Sequence, residues 1–167
     1  MDISQYLDLV DSKLKNSFDV SRNTVVNGIN YDLYAQFKLR NERYVLTKKA
    51  VVYAFENNEY CLVKHFQKID ERVLDSFTEE LKKSVECIVS PSSEHMSSII
   101  TAVAVTDNMP PGDFENLKGK VERFRYNKGF AFGFKGWADI RLLLVSLDEG
   151  LTAANKKGKE VAKVYSA

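Results

Sequence analysis

Apolar residues recur at helical spacing from the start of the chain, where Ile3, Tyr6, Leu7, Val10, Leu14 and Phe18 follow Asp2 and Gln5, a pair spaced for a capping box. This predicts an amphipathic helix facing a core. Asn27-Gly28 then marks a tight hairpin, because both residues tolerate the positive φ that such a turn needs. Tyr31, Leu33, Ala35, Phe37 and Leu39 alternate with Asp32, Tyr34, Gln36, Lys38 and Arg40, the period of a strand buried on one face. A turn at Asn41-Glu42 leads to a second long strand predicted over residues 43–55, with Lys48-Lys49 at a bulge or exposed edge. Asn57-Asn58 predicts a reversal into residues 60–66, which completes an antiparallel meander.

Helical periodicity returns after Asp70, a candidate N-cap, with Val73, Leu74, Phe77, Leu81, Val85 and Ile88 on one stripe before Pro91 ends it. The serine-rich residues 90–98 read as a loop. Residues 99–106 are almost wholly apolar and β-branched, as in a central strand covered on both faces. After the turn at residues 108–112, Asp113 opens a helix carrying Phe114, Leu117, Val121 and Phe124, with Gly119 as a weak point. The remainder predicts strands over 129–135, 141–147 and 151–155, and a small helix near 159–165. The fold class expected is mixed α/β with α+β character: an antiparallel meander plus one central strand, with flanking helices.

The chain has 167 residues, 44% hydrophobic and 28% charged, which places it among ordinary globular domains and excludes a disordered tail or a disulfide scaffold. One domain over 1–167 is expected, since no linker or repeat interrupts it. No apolar run reaches the ~18–20 residues that span a bilayer, and the first residues do not read as a signal peptide. A cytoplasmic location and no membrane partner are therefore expected. Cys61 and Cys87 are the only cysteines and form no metal or redox spacing.

Net charge is +1, yet the halves divided at Leu117 carry −5 and +6. Such asymmetry steers an anionic partner or, more often, marks complementary surfaces that meet within one fold. The basic part is rich in aromatic residues: Arg123, Arg125, Lys128, Lys135 and Trp137 form a candidate binding strip, in which cations neutralise phosphates and the ring accepts a base. Within it Lys128-Gly129-Phe130-Ala131-Phe132 matches the opening of the RNA-recognition motif's aromatic strand, but Gly133 and Lys135 break the match. The simpler expectation is that Phe130, Phe132 and Phe134 alternate into the core and that Trp137 packs there too.

Histidine chemistry is thin. Cys61 and His65 lie ~13 Å apart along a strand, too far to share a metal, and His95 falls in the predicted serine-rich loop. No phosphate-cradling glycine loop, nucleophile elbow or zinc-protease motif occurs.

The order helix, three-strand meander, helix, strand resembles the core of the PD-(D/E)xK, or restriction-endonuclease-like, superfamily. That resemblance implies a metal-dependent nuclease with two strand-borne carboxylates and a lysine. Asp32 stands where the first carboxylate belongs, but residues 60–66 offer no acid-x-Lys triplet, and Asp11-Ser12-Lys13 and Glu80-Leu81-Lys82 fall on predicted helices. The stretches over residues 40–50 (Arg-Asn-Glu-Arg-Tyr-Val-Leu-Thr-Lys-Lys-Ala) and 155–161 (Asn-Lys-Lys-Gly-Lys-Glu-Val) resemble an uncharacterised family of small single-domain prokaryotic proteins. The resemblance runs the whole length and implies no activity.

No catalytic constellation, cofactor motif or metal site emerges, so the expected function is a non-catalytic binding or assembly module. Long strand edges suit a homodimer paired along residues 43–55. The alternative is a nucleic-acid-binding or nuclease-related protein, either a nucleic-acid-acting enzyme with Asp32 near a metal or a catalytically inactive descendant of one.

Overall fold

The computed structural model describes residues 1–44, 51–92 and 95–167, with side chains placed outside residues 40–44 and 51–55. Helix α1 (Ile3–Leu14) begins at the expected capping box: Gln5 N–H donates to Asp2 Oδ1 at 2.8 Å, and Asp2 N–H donates to Gln5 Oε1 at 3.1 Å. It buries Tyr6, Val10 and Leu14. Strands β1 (Asp19–Val26) and β2 (Ile29–Tyr44) are joined by the predicted tight turn, where Asn27 and Gly28 sit at φ 50° and 77°. Strand β3 (Val51–His65) leads to α2 (Glu71–Ile88), capped by Asp70 Oδ1, which accepts from Val73 N–H at 2.9 Å. Strand β4 (His95–Thr106) and α3 (Pro111–Arg123) follow, then β5 (Asn127–Gly129), β6 (Trp137–Ser146), β7 (Leu151–Ala154) and α4 (Ala162–Tyr165).

The described strands form one sheet in the order β1-β2-β3-β4-β6-β5, with β7 also on β6. The meander β1-β2-β3 is antiparallel, whereas β3, β4 and β6 run parallel. The fold is therefore mixed α/β, and the strand predicted over 99–106 lies inside the sheet. Its alternate side chains feed two cores. Ile100 and Ala102 join Leu74, Phe77 and Leu81 of α2 and Leu117 and Val121 of α3. Val103 and Val105 join Tyr6, Val10 and Leu14 of α1 and Tyr165 of α4. Burial on both faces is what its unbroken apolar run requires. On the α1 side Cys61 is sealed in, and burial pushes its thiol up to about 12, so the sulfur stays protonated and inert.

Five expectations change. Asn41-Glu42, expected as a turn, lies within β2, paired with Phe55 and Ala54 of β3, so the strands expected over 31–39 and 43–55 are divided elsewhere. Asn57-Asn58 is no turn: both residues lie in β3, opposite Leu39 and Lys38 of β2, with Ser97 and Ser98 of β4 on the other side. Ladder pairing on both edges overrides the local turn preference, and the β2–β3 ladder continues to Tyr44 opposite Val51; Lys48-Lys49 fall outside the described residues. Residues 95–98 are strand, because Ser97 Oγ donates to Asn57 Oδ1 at 2.7 Å and Ser98 is fully buried. Helix α3 starts at Pro111 rather than Asp113, proline's fixed φ suiting a first turn. Residues 129–135 are not a strand, as described below.

Part of the charge asymmetry is met within the fold. Lys120 donates to Glu71 at 2.8 Å and Asp75 at 2.7 Å, Lys128 pairs with Glu86, and Arg141 bridges Glu59 and Glu160. Lys120, Lys128 and Arg141 of the second half thus meet Glu71, Asp75, Glu86 and Glu59 of the first, while Glu160 lies in the second half itself.

One edge of β6 is completed by a side chain. β5 pairs with Trp137–Asp139 and β7 with Leu143–Ser146, which leaves a gap between them. Asn155 fills it. Its Oδ1 accepts from Leu142 N–H at 3.2 Å and Gly158 N–H at 2.8 Å, and its Nδ2 donates to Ile140 O at 3.0 Å and Phe124 O at 3.3 Å.

Candidate binding hairpin

The connection from β5 to β6 turns on itself instead of extending. Ala131, Phe132 and Gly133 take φ of 47°, 55° and 89°, and Gly136 takes 79°. The loop is tied from within: Phe130 N–H donates to Gly136 O at 2.9 Å, Lys135 N–H to Phe130 O at 3.1 Å, and Phe134 N–H to Ala131 O at 3.0 Å. Three glycines at 129, 133 and 136 are the signal in the sequence that favours a turn here over a strand.

His95 anchors the loop to the sheet. It is buried at the start of β4, beside a register shift between β3 and β4 at Glu56/Asn57, and its ring lies against the Ser98 hydroxyl. The Lys135 carbonyl accepts at 2.7 Å from Nδ1–H, and Nε2 lies 2.9 Å from Ser98 Oγ. The Phe130 ring meets the His95 ring edge-on at 5.9 Å. Gly136 lies against His95 and the Met96 carbonyl, leaving no room for a Cβ.

The consequence is display. Phe132 and Phe134 are almost wholly exposed, and Trp137 keeps 41% of its surface in solvent. The expectation that Phe132, Phe134 and Trp137 belong to the core is thus corrected: the positive-φ turn swings the first two rings off the sheet. Phe130 alone of the three phenylalanines packs against the core.

The candidate strip is divided by the pleat. Lys128 stands opposite Ala138, on the α2 face, where it pairs with Glu86 and holds that carboxyl below the usual carboxylate range. Trp137 stands opposite Gly129 and beside Ser97 of β4. Lys135 is exposed in the loop between them. Arg125 is exposed just before β5, its Nη1 donating to Glu122 O at 2.6 Å and Phe124 O at 2.7 Å. Arg123 departs from the group, lining a cleft of about 420 Å³ between α2 and α3 with Lys68, Asp70 and Asp113. The structure therefore gathers Lys135 and Trp137 on one hairpin, keeps Arg125 and Lys128 at its base, and separates Arg123.

The nuclease-like features do not converge. Asp32 Oδ2 accepts from His65 N–H at 2.7 Å, pinning the end of β3 to β2, and His65 Nε2 lies 3.1 Å from Asp107 Oδ2. Among the described residues no three His, Cys, Asp or Glu side chains stand close enough to hold a metal ion. Nor is any described helix long and apolar enough to cross a membrane.

Fold and site together define a mixed α/β protein that presents an aromatic hairpin at the edge of its sheet. The chain belongs to the family described as a domain of unknown function (DUF8052), whose model matches residues 2–167. No curated protein and no solved structure matches it.

Proposed function

We propose that the chain is a non-catalytic binding module whose contact surface is the β5–β6 hairpin. The observation that carries this reading is Phe132, a bulky residue held at φ 55° with its ring in water. A left-handed conformation costs a residue of this kind on the order of 1–3 kcal/mol, and the exposed ring returns no burial to folding. The cost makes sense where the ring serves a contact outside the fold. Phe132→Ser with Phe134→Ser is accordingly expected to leave the melting temperature within about 2 °C of wild type, a shift below 1 kcal/mol for a domain this size. A loss of about 3–5 kcal/mol, the cost of emptying a packed phenylalanine site, would show a structural role and end the reading.

Assembly is the second reading, and the backbone supports it. β1 pairs with β2 only as far as Gln36, and β4 pairs with β3 only from Glu56 onward, so the described parts of β2 and β3 beyond these points make a two-stranded ribbon. Ribbon edges at residues 43–44 and 51–55 are suited to pairing with a second copy; the rest of the expected 43–55 edge falls outside the described residues. Light scattering is expected to show a dimer if this ribbon is used; a monomer at high concentration removes it.

A further inference from the structure

We infer that the partner of the hairpin is single-stranded nucleic acid, with unpaired bases stacking on Phe132, Phe134 and Trp137 and phosphates meeting Lys135 and Arg125. This rests on the binding-module reading and supplies its ligand. Residues 123–138 contain four Lys or Arg, six aromatic residues and no Asp or Glu. The structure assigns half of those rings to the fold: Phe124, Tyr126 and Phe130 pack against the core. The remaining three, Phe132, Phe134 and Trp137, are the exposed ones. Among the cations Lys128 is paired with Glu86, whereas Lys135 is exposed and Arg125 is anchored through backbone carbonyls, which orient its charge without cancelling it. Flat rings beside cations that form no ion pair among the described residues are the two elements of sequence-tolerant single-strand binding: every base has a π-face, and each phosphate releases condensed counterions.

The surroundings of Trp137 favour a base over a lipid chain. Its parallel-strand neighbour is Ser97, hydrogen-bonded to Asn57 on the next strand. A polar floor of this kind suits base edges, while an acyl chain would find its ring flanked by hydroxyl and amide groups. Duplex ends are a poor fit, since their bases are already stacked.

Trp137 is the only tryptophan in the chain, so intrinsic fluorescence reads the hairpin directly. Titration at low salt with oligo-dT and oligo-U of about 16 nucleotides, a blunt duplex, and phosphatidylglycerol vesicles separates the outcomes. The single strands are expected to quench the emission, and the duplex and vesicles to leave it unchanged. Log affinity is expected to fall with log salt by roughly 0.7 per phosphate contacted, and Lys135→Ala to reduce the slope by about that amount. Phe132→Ser with Phe134→Ser is expected to weaken binding at least about fivefold while leaving the slope unaltered. Absence of quenching by either single strand, or equal quenching by the duplex, overturns the inference. A blue shift with vesicles alone replaces nucleic acid by a lipid surface and leaves the binding-module reading in place. That reading falls separately, through destabilisation of the double phenylalanine variant.

Discussion

Asn155→Ala is expected to lower the stability of the folded chain by about 3–5 kcal/mol, a large part of the ~5–15 kcal/mol available to a domain of this kind. The side chain acts as a missing stretch of strand. Its amide accepts from Leu142 and Gly158 N–H and donates to the Ile140 and Phe124 carbonyls, and the residue is 2% exposed. Truncation strips partners from several buried backbone groups at once, each worth about 1–3 kcal/mol when left unpaired, with partial relief from admitted water. Asn155→Asp keeps the two acceptor contacts but loses both donors and buries a charge, so it is expected to be no less damaging. Urea unfolding monitored by far-ultraviolet circular dichroism measures both; a loss under 1 kcal/mol for the alanine variant would show that β6 closes its edge without Asn155.

Gly136→Ala is expected to cost about 2–4 kcal/mol and to loosen the aromatic hairpin. A Cβ at this position would lie 2.5 Å from the Met96 carbonyl oxygen, 2.6 Å from that of His95 and 2.7 Å from His95 Nδ1, and φ is already 79°. Two of these three neighbours are backbone of β4, which cannot turn aside as a surface side chain would. The displacement would fall on the Nδ1–H to Lys135 carbonyl bond that ties the loop to the sheet. Gly133 is the control: its φ is 89°, but nothing lies within 4 Å of the added carbon, so Gly133→Ala is expected to cost only about 1 kcal/mol. Thermal melting together with acrylamide quenching of Trp137 distinguishes the pair. The Gly136 variant should melt earlier and expose Trp137 further; equal behaviour of both variants would assign the effect to backbone strain alone.

The sequence by itself determined the features whose cause is local. The capping box of α1, the Asp70 cap of α2, the Asn27-Gly28 turn and the buried character of β4 each follow from a few neighbouring residues and hold in the structure. The helices and the mixed α/β class were equally legible, but the meander was divided in the wrong places, since Asn41-Glu42 lies inside β2 and Asn57-Asn58 inside β3. Tertiary structure decided what depends on partners distant in sequence. Asn57-Asn58 has the residues of a turn, but ladders to β2 and β4 hold it extended, since pairing on both edges outweighs a weak local preference. The segment 129–135 alternates like a strand, yet the glycines at 133 and 136, together with His95 arriving from β4, fold it into a loop. The same event moved Phe132 and Phe134 from expected core to exposed surface, because alternation assigns faces only where a strand exists. The candidate cations were legible as residues but not as a group: the pleat sent Lys128 to Glu86 on one face and left Trp137 beside Ser97 on the other, a division fixed by pairing register, which no local pattern encodes.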